Sequence, residues 1–202
     1  MLKIDALREL LGSDPGQPRI QALLNQLHNS SKSIGPEVKA YPDVVYHNYR
    51  SLGLSLQYEA CTSGDDASKS TPENLRLAAI DIYSGHDDKH WTCFSALPLQ
   101  VDAISSEAGT HPRRFLIKYE STGKDLVSDL GEPQRKGGGA NDRSGPAAWM
   151  EWCLGLNAPG SDNKKRCKLQ VELAGPAARG ADRWNAEKAG ACTWAVITIT
   201  NS

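Results

Sequence analysis

Val44-Val45-Tyr46-His47-Asn48-Tyr49-Arg50-Ser51-Leu52-Gly53-Leu54-Ser55-Leu56-Gln57-Tyr58 decides how this chain is read. Val44, Tyr46, Leu54, Leu56 and Tyr58 recur at every second position, the period of a half-buried strand. A tight turn at Arg50–Gly53 separates the two runs, so the stretch is expected to form a hairpin, with Gly53 supplying a positive φ. Only His47 and one of the two flanking tyrosines are then left free of a purely structural role.

The flanks extend the pattern. Ile4, Leu7, Leu10 and Leu11 form one stripe of a short helix that Gly12 and Pro15 end, and Ile20, Leu23, Leu24 and Leu27 form the stripe of a second. Leu75–Tyr83 alternates as a third strand after a Ser-, Thr-, Gly- and Asp-rich loop at Cys61–Asn74. Trp91–Val101 reads as extended but irregular around Pro98, and Phe115–Tyr119 as a short edge strand. Thr122 is a good N-cap for a helix over Gly123–Leu130, with Asp125 three residues on and Gly131 and Pro133 as terminators. The glycine run Gly137-Gly138-Gly139 reads as a flexible connection leading to strands at Ala148–Leu154, Lys168–Leu173 and Trp194–Thr200.

Laid end to end, a helix with three strands is followed by a second helix with three strands. The expected fold is therefore α+β: a curved, mostly antiparallel sheet of about six strands built from two helix–strand–strand–strand repeats, with the helices on one face. Residues 1–202 are expected to form a single domain, with N-terminal helices over 1–36, the first repeat sheet over 37–104 and the second repeat over 105–202. This helix and meander, with Leu130-Gly131-Glu132-Pro133 after the helix, resembles the tandem repeat of β-lactamase-inhibitor-protein-like domains and of the related small lipoprotein assembly-factor domains. The text Tyr46-His47-Asn48-Tyr49, then Leu52-Gly53-Leu54, and later Gly131-Glu132-Pro133 also resembles the phagosome assembly factor family of eukaryotes. That family pairs an Asn-Tyr…Leu-Gly hairpin with a later Leu-Gly-x-Pro. The matching positions are Tyr46, His47, Asn48, Tyr49, Gly53, Gly131 and Pro133, most of which read as structural.

Bulk properties narrow the function. Lys plus Arg (23) nearly cancels Asp plus Glu (24), which argues against broad electrostatic capture of nucleic acid or of an anionic membrane. The amino terminus alternates charged and apolar residues instead of forming the apolar run of a secretory signal, and no stretch reads as an integral membrane span. Five cysteines without Cys-x-x-Cys spacing fit reduced thiols in a cytoplasmic protein. No cofactor is expected.

Catalytic text is absent: there is no Gly-x-Ser-x-Gly, His-Glu-x-x-His or Gly-x-Gly-x-x-Gly. His86-Asp87-Asp88-Lys89-His90 with Cys93 carries metal-ligand chemistry, but an i,i+4 histidine pair converges only on a helix, and this segment reads as a solvated turn. No metal is expected there. Arg135 and Lys136, before the three glycines, form a candidate anion contact. The aromatics on the predicted strands carry the remaining signal. Residues three apart on a strand face opposite ways, so one of Tyr46 and Tyr49, and one of Trp149 and Trp152, must point away from the helices.

The expected function is that of a cytoplasmic, non-enzymatic binding or adaptor domain that takes a protein partner on this aromatic sheet face. Its candidate binding residues are Tyr46, His47, Tyr49, Trp149, Glu151 and Trp152. The alternative is a small enzyme or small-molecule binder with a pocket on the same face, in which His47 and Glu151 act as an acid/base pair because the first strands of the two repeats adjoin.

Overall fold

The computed structural model describes residues 1–28, 35–86, 90–104, 113–138, 147–156 and 165–202. In chain order its elements are β1 (Leu2–Lys3), α1 (Ile4–Arg8), α2 (Pro18–Leu27), β2 (Glu37–Ala40), β3 (Val45–Tyr49), β4 (Leu54–Ala60), β5 (Leu75–Tyr83) and β6 (Leu99–Ile104). These are followed by β7 (Arg113–Ile117), α3 (Gly123–Leu130), β8 (Arg135–Gly137), β9 (Trp149–Leu156), β10 (Lys165–Leu173) and β11 (Trp194–Asn201).

The expectation of a six-stranded α+β sheet is overturned. Among the described residues the fold is mostly β, with three α-helices against eight antiparallel strands in the order β8-β9-β10-β11-β5-β4-β3-β2. A three-stranded mixed sheet, in which β1 runs parallel and β7 antiparallel to β6, is attached where Ala103 and Ile104 pair with Leu156 and Gly155. Two strands of the main sheet were missed for a physical reason. Glu37–Ala40 alternates for only four residues and buries none of them, too short a signal to stand out, and Arg135–Gly137 is a three-residue strand whose Gly-rich text reads as a connector. Of the mixed sheet, β7 overlaps the short edge strand expected over Phe115–Tyr119, whereas the other two strands escaped because β1 is two residues long and the β6 segment begins beside Pro98.

The opening hairpin forms, with a correction to its faces. A 3₁₀ turn at Arg50–Leu52 and a left-handed Gly53 (φ 63°, ψ 34°) set the register Tyr49↔Leu54, which puts His47 opposite Leu56 and Tyr46 opposite Gln57. Residues directly opposed across a ladder share a face. The inward-facing set of β3 is therefore Val45, His47 and Tyr49, continuing Leu54, Leu56 and Tyr58, while Tyr46 belongs to the other face. In β5 the pairing skips Ala78, so Leu77 faces the core opposite Tyr58 while Ile80 and Ile82 do so opposite Leu56 and Leu54. This bulge moves Ala79, Asp81 and Tyr83 to the outward face, away from the Leu75 and Leu77 with which a strict alternation groups them.

On the inner face, Ile4 and Leu7 of α1, Ile20, Leu23, Leu24 and Leu27 of α2, and Leu126 of α3 join one core with the strand side chains. Trp152, Trp194, Tyr58 and Phe94 are its largest fully buried members. Each contributes on the order of 1.5–3 kcal/mol of transfer free energy. The helix α3 starts as its sequence predicts. Thr122 Oγ1 accepts from the Asp125 amide at 3.2 Å, and Asp125 returns the bond to the Thr122 amide at 2.9 Å. No helix among the described residues is long and apolar enough to cross a membrane.

Candidate binding face

The register across the main sheet lines up one residue from every strand on the outward face: Glu37, Asn48, Ser55, Asp81, Thr198, Gln170, Glu151 and Arg135. Hydrogen bonds run along much of this polar row. Ser55 Oγ donates to Asn48 Oδ1 at 2.8 Å, Thr198 Oγ1 donates to Asp81 Oδ1 at 2.7 Å, and Arg135 Nη1 stands 3.3 Å from Glu151 Oε1. Gln57, in the neighbouring row, donates its amide to the other carboxyl oxygen of Asp81.

Asp81 is 7% exposed, and burial raises its carboxyl pKa above the usual range, outweighing the two neutral donors that favour the charged form. Burial also raises the Tyr46 phenol, with the Asp81 and Asp43 charges adding to the shift.

At the β2 end of this face the side chains frame an open groove of about 560 Å³, lined by Lys39, Tyr41, Asp43, Val44, Tyr46, Asn48, Arg50, Tyr83 and Trp91. Its wall is a three-layer stack. The Arg50 guanidinium lies 5.0 Å from the Trp91 ring centre, and Trp91 is stacked on Tyr83 at 3.7 Å with 5° between the planes. Glu37 fixes the outer layer by accepting from Arg50 Nε at 2.6 Å, and this bond holds the Glu37 carboxyl below the usual range. The Trp91 segment is anchored through Thr92, whose amide and hydroxyl both donate to the Arg50 carbonyl (3.1 and 2.9 Å). Tyr41, which is 49% exposed, meets Tyr46 edge to face at 6.1 Å.

The six candidate residues divide between the two faces. Tyr46, Trp149 and Glu151 point outward, Trp149 beneath the Arg135 guanidinium at 5.8 Å. Tyr49 and Trp152 are core residues at 4% and 1% exposure. Burial pushes the Tyr49 phenol up to about 12, and the Trp152 indole N–H donates to the Gly131 carbonyl at 2.9 Å, tying β9 to the end of α3.

His47 is half-buried on the inner face against the Tyr58 ring at 4.9 Å, and burial lowers its pKa. The acid/base pair of His47 and Glu151 is not brought together. The two residues lie on opposite faces, and β4, β5, β11 and β10 stand between their strands, about 24 Å at ~4.8 Å per strand step. The supposed adjacency fails because the two meanders β2–β5 and β8–β11 join through their last strands, β5 and β11.

Arg135 and Lys136 also part company. As neighbours on a strand they face opposite ways, Arg135 to Glu151 and Trp149, Lys136 to the inner side opposite Met150. Of the His86–His90 segment, residues 87–89 lie outside the described residues. His86 is stacked on Tyr119 at 4.2 Å, and the described residues bring together no group of three His, Cys, Asp or Glu side chains able to hold a metal.

Tyr41, Asp81 and Trp91 were not singled out from sequence. Tyr41 and Trp91 sit in connections, where a count of strand aromatics does not look, and Asp81 is a lone acid within an apolar strand. That last pattern, a carboxylate flanked by Ile80 and Ile82, was the available signal. No family model, curated protein or solved structure matches this chain.

Proposed function

We propose that this chain is a non-enzymatic binding or adaptor domain that seats a segment of a partner protein in the groove at the β2 end of its outward sheet face. The observation that carries the reading is the open, aromatic-lined groove itself. Tyr41, Tyr46, Tyr83 and Trp91 supply wide, stiff contact surfaces, and Arg50 is pre-positioned by Glu37 and Trp91. Tyr, Trp and Arg are the residues that dominate binding energy at protein interfaces, and stacking spends little conformational entropy on complex formation. Strand β2 adds to the reading: all four of its residues are exposed and its outer edge pairs with no strand among the described residues, so an extended segment has backbone groups to meet. The five cysteines are all free, in keeping with work in the reducing cytoplasm.

The test is site-specific photocrosslinking. A benzophenone side chain at Tyr41 is expected to capture a protein from native extract, whereas the same group at exposed Glu59 is not. The captured partner, purified, is then titrated against Tyr46→Ala. An interface centred here loses at least about 2 kcal/mol, roughly thirty-fold in affinity, with the melting temperature nearly unchanged. No adduct at Tyr41, or an affinity that Tyr46→Ala leaves intact, overturns the proposal.

A further inference from the structure

A second concavity lies on the inner side of the sheet at the opposite end of the molecule, where α3, β8, the starts of β9 and the end of β10 meet the turn 183–190. Its volume is about 220 Å³. Val127, Ala148, Met150, Leu173 and Ala189 make its apolar lining, and Lys124, Lys136, Arg183 and Glu132 are its charged lining residues among those described. We infer that this is a binding site for a small amphiphilic carboxylate, with the apolar body in the cavity and the carboxylate held by the three cations. A concave apolar site with a few convergent polar groups is the usual form of a small-molecule site.

The charge recognition falls to side chains. The first amides of α3 are already engaged: Gly123 donates to the Cys192 carbonyl at 2.9 Å, Lys124 to the Gly190 carbonyl at 2.8 Å, and Asp125 to Thr122 Oγ1. Of the cations, Lys124 is loosely paired with Glu187 at 3.4 Å, an exposed contact that a ligand carboxylate can replace. Lys136 has no ion-pair partner among the described residues. Arg183 is held in place, its Nη1 donating to the Gly180 carbonyl at 2.6 Å, which fixes the guanidinium beside the cavity.

The cavity also sets the ligand's size. At about 30 Å³ per water-sized group it holds roughly seven such groups, the length of an octanoate tail. Gly123 contributes to the room: a Cβ there would stand 3.2 Å from the Leu173 methyls and 3.4 Å from Met150 Cε.

Calorimetric titration of the full chain with octanoate, octanol and octylamine tests the assignment. Octanoate is expected to bind one to one, octanol at least about ten-fold more weakly because charge-assisted bonds are lost, and octylamine not measurably. Val127→Phe fills the cavity from the helix side and is expected to abolish octanoate binding; if that variant melts early, Ala186→Phe fills it from the exposed turn. Lys136→Glu is expected to weaken octanoate about ten-fold or more at an unchanged melting temperature. Failure of octanoate to bind, equal binding of octylamine, or unchanged binding in a folded cavity-filled variant each overturns the inference. Tyr46→Ala, at the far groove, is expected to leave octanoate binding untouched, so the two proposals succeed or fail separately.

Discussion

Replacing Gly53 by alanine tests how the hairpin and the groove depend on each other. Gly53 is left-handed at φ 63°, and the Cβ of an alanine there would stand 2.5 Å from the Thr92 carbonyl oxygen, 2.6 Å from the Phe94 nitrogen and 2.9 Å from Phe94 Cα. These are backbone atoms, and they cannot simply move aside. Thr92 is tied to the Arg50 carbonyl by two hydrogen bonds, and the Phe94 amide donates to the Tyr83 carbonyl at 2.9 Å. Gly64 provides the comparison, because it too has a positive φ (92°) but a Cβ there meets nothing within 4 Å.

Gly64→Ala therefore pays only the left-handed penalty of about 1–2 kcal/mol, partly offset by the stiffer unfolded chain, for a net cost of about 1 kcal/mol. Gly53→Ala adds overpacking against backbone, typically about 1–3 kcal/mol, for a total near 3 kcal/mol. In a chain of this size that is a fall of roughly 6–12 °C in melting temperature against roughly 2–4 °C for the control. Urea denaturation at constant m-value is the assay, and tryptophan emission in the native baseline reports displacement of Trp91 from its stack on Tyr83. If Gly53→Ala costs no more than Gly64→Ala, the close approach of residues 92–94 to the hairpin turn is wrong, and the account of how Trp91 is held falls with it.

Two further outcomes follow from the same geometry. Thr122→Ala removes the side-chain half of the α3 capping box and is expected to cost about 1 kcal/mol in chemical denaturation; no loss would mean that the box seen at Thr122 and Asp125 does not stabilise the helix start. Asp81 has a folded pKa raised above its unfolded value, so the native state binds the extra proton. Its contribution to stability is fully present below the ordinary aspartate value of the unfolded chain and is lost as pH rises through the raised native value. Asp81→Asn, which Gln57 can accommodate by turning its amide, is expected to remove that fall; identical pH slopes in denaturation of the two proteins would refute the assignment.

The parts of this molecule that were legible in its sequence are those whose physics is local. The stripe Ile20, Leu23, Leu24 and Leu27 specifies an amphipathic helix by period alone, and Thr122 with Asp125 marks the start of α3 because both partners of the cap lie within one turn. Gly53 announces its own turn. That one of Tyr46 and Tyr49, and one of Trp149 and Trp152, must face outward also follows from strand alternation, and the structure assigns Tyr46 and Trp149.

What the sequence by itself determined, then, was a set of elements and their apolar faces; which residues share a site was decided by pairing between distant strands. Register is a long-range choice, and a single skipped residue such as Ala78 exchanges the two faces of a strand beyond it. That exchange placed Asp81 in the outward polar row. The joining of β5 to β11 separated His47 from Glu151, and the pairing of Arg135–Gly137 with β9 sent Arg135 and Lys136 to opposite sides of the sheet. The groove at Tyr46 shows the same division: its tyrosine is readable in the hairpin, but Trp91 reaches it from a connection thirty-eight residues beyond Gly53, held by backbone hydrogen bonds that no pattern in the sequence encodes.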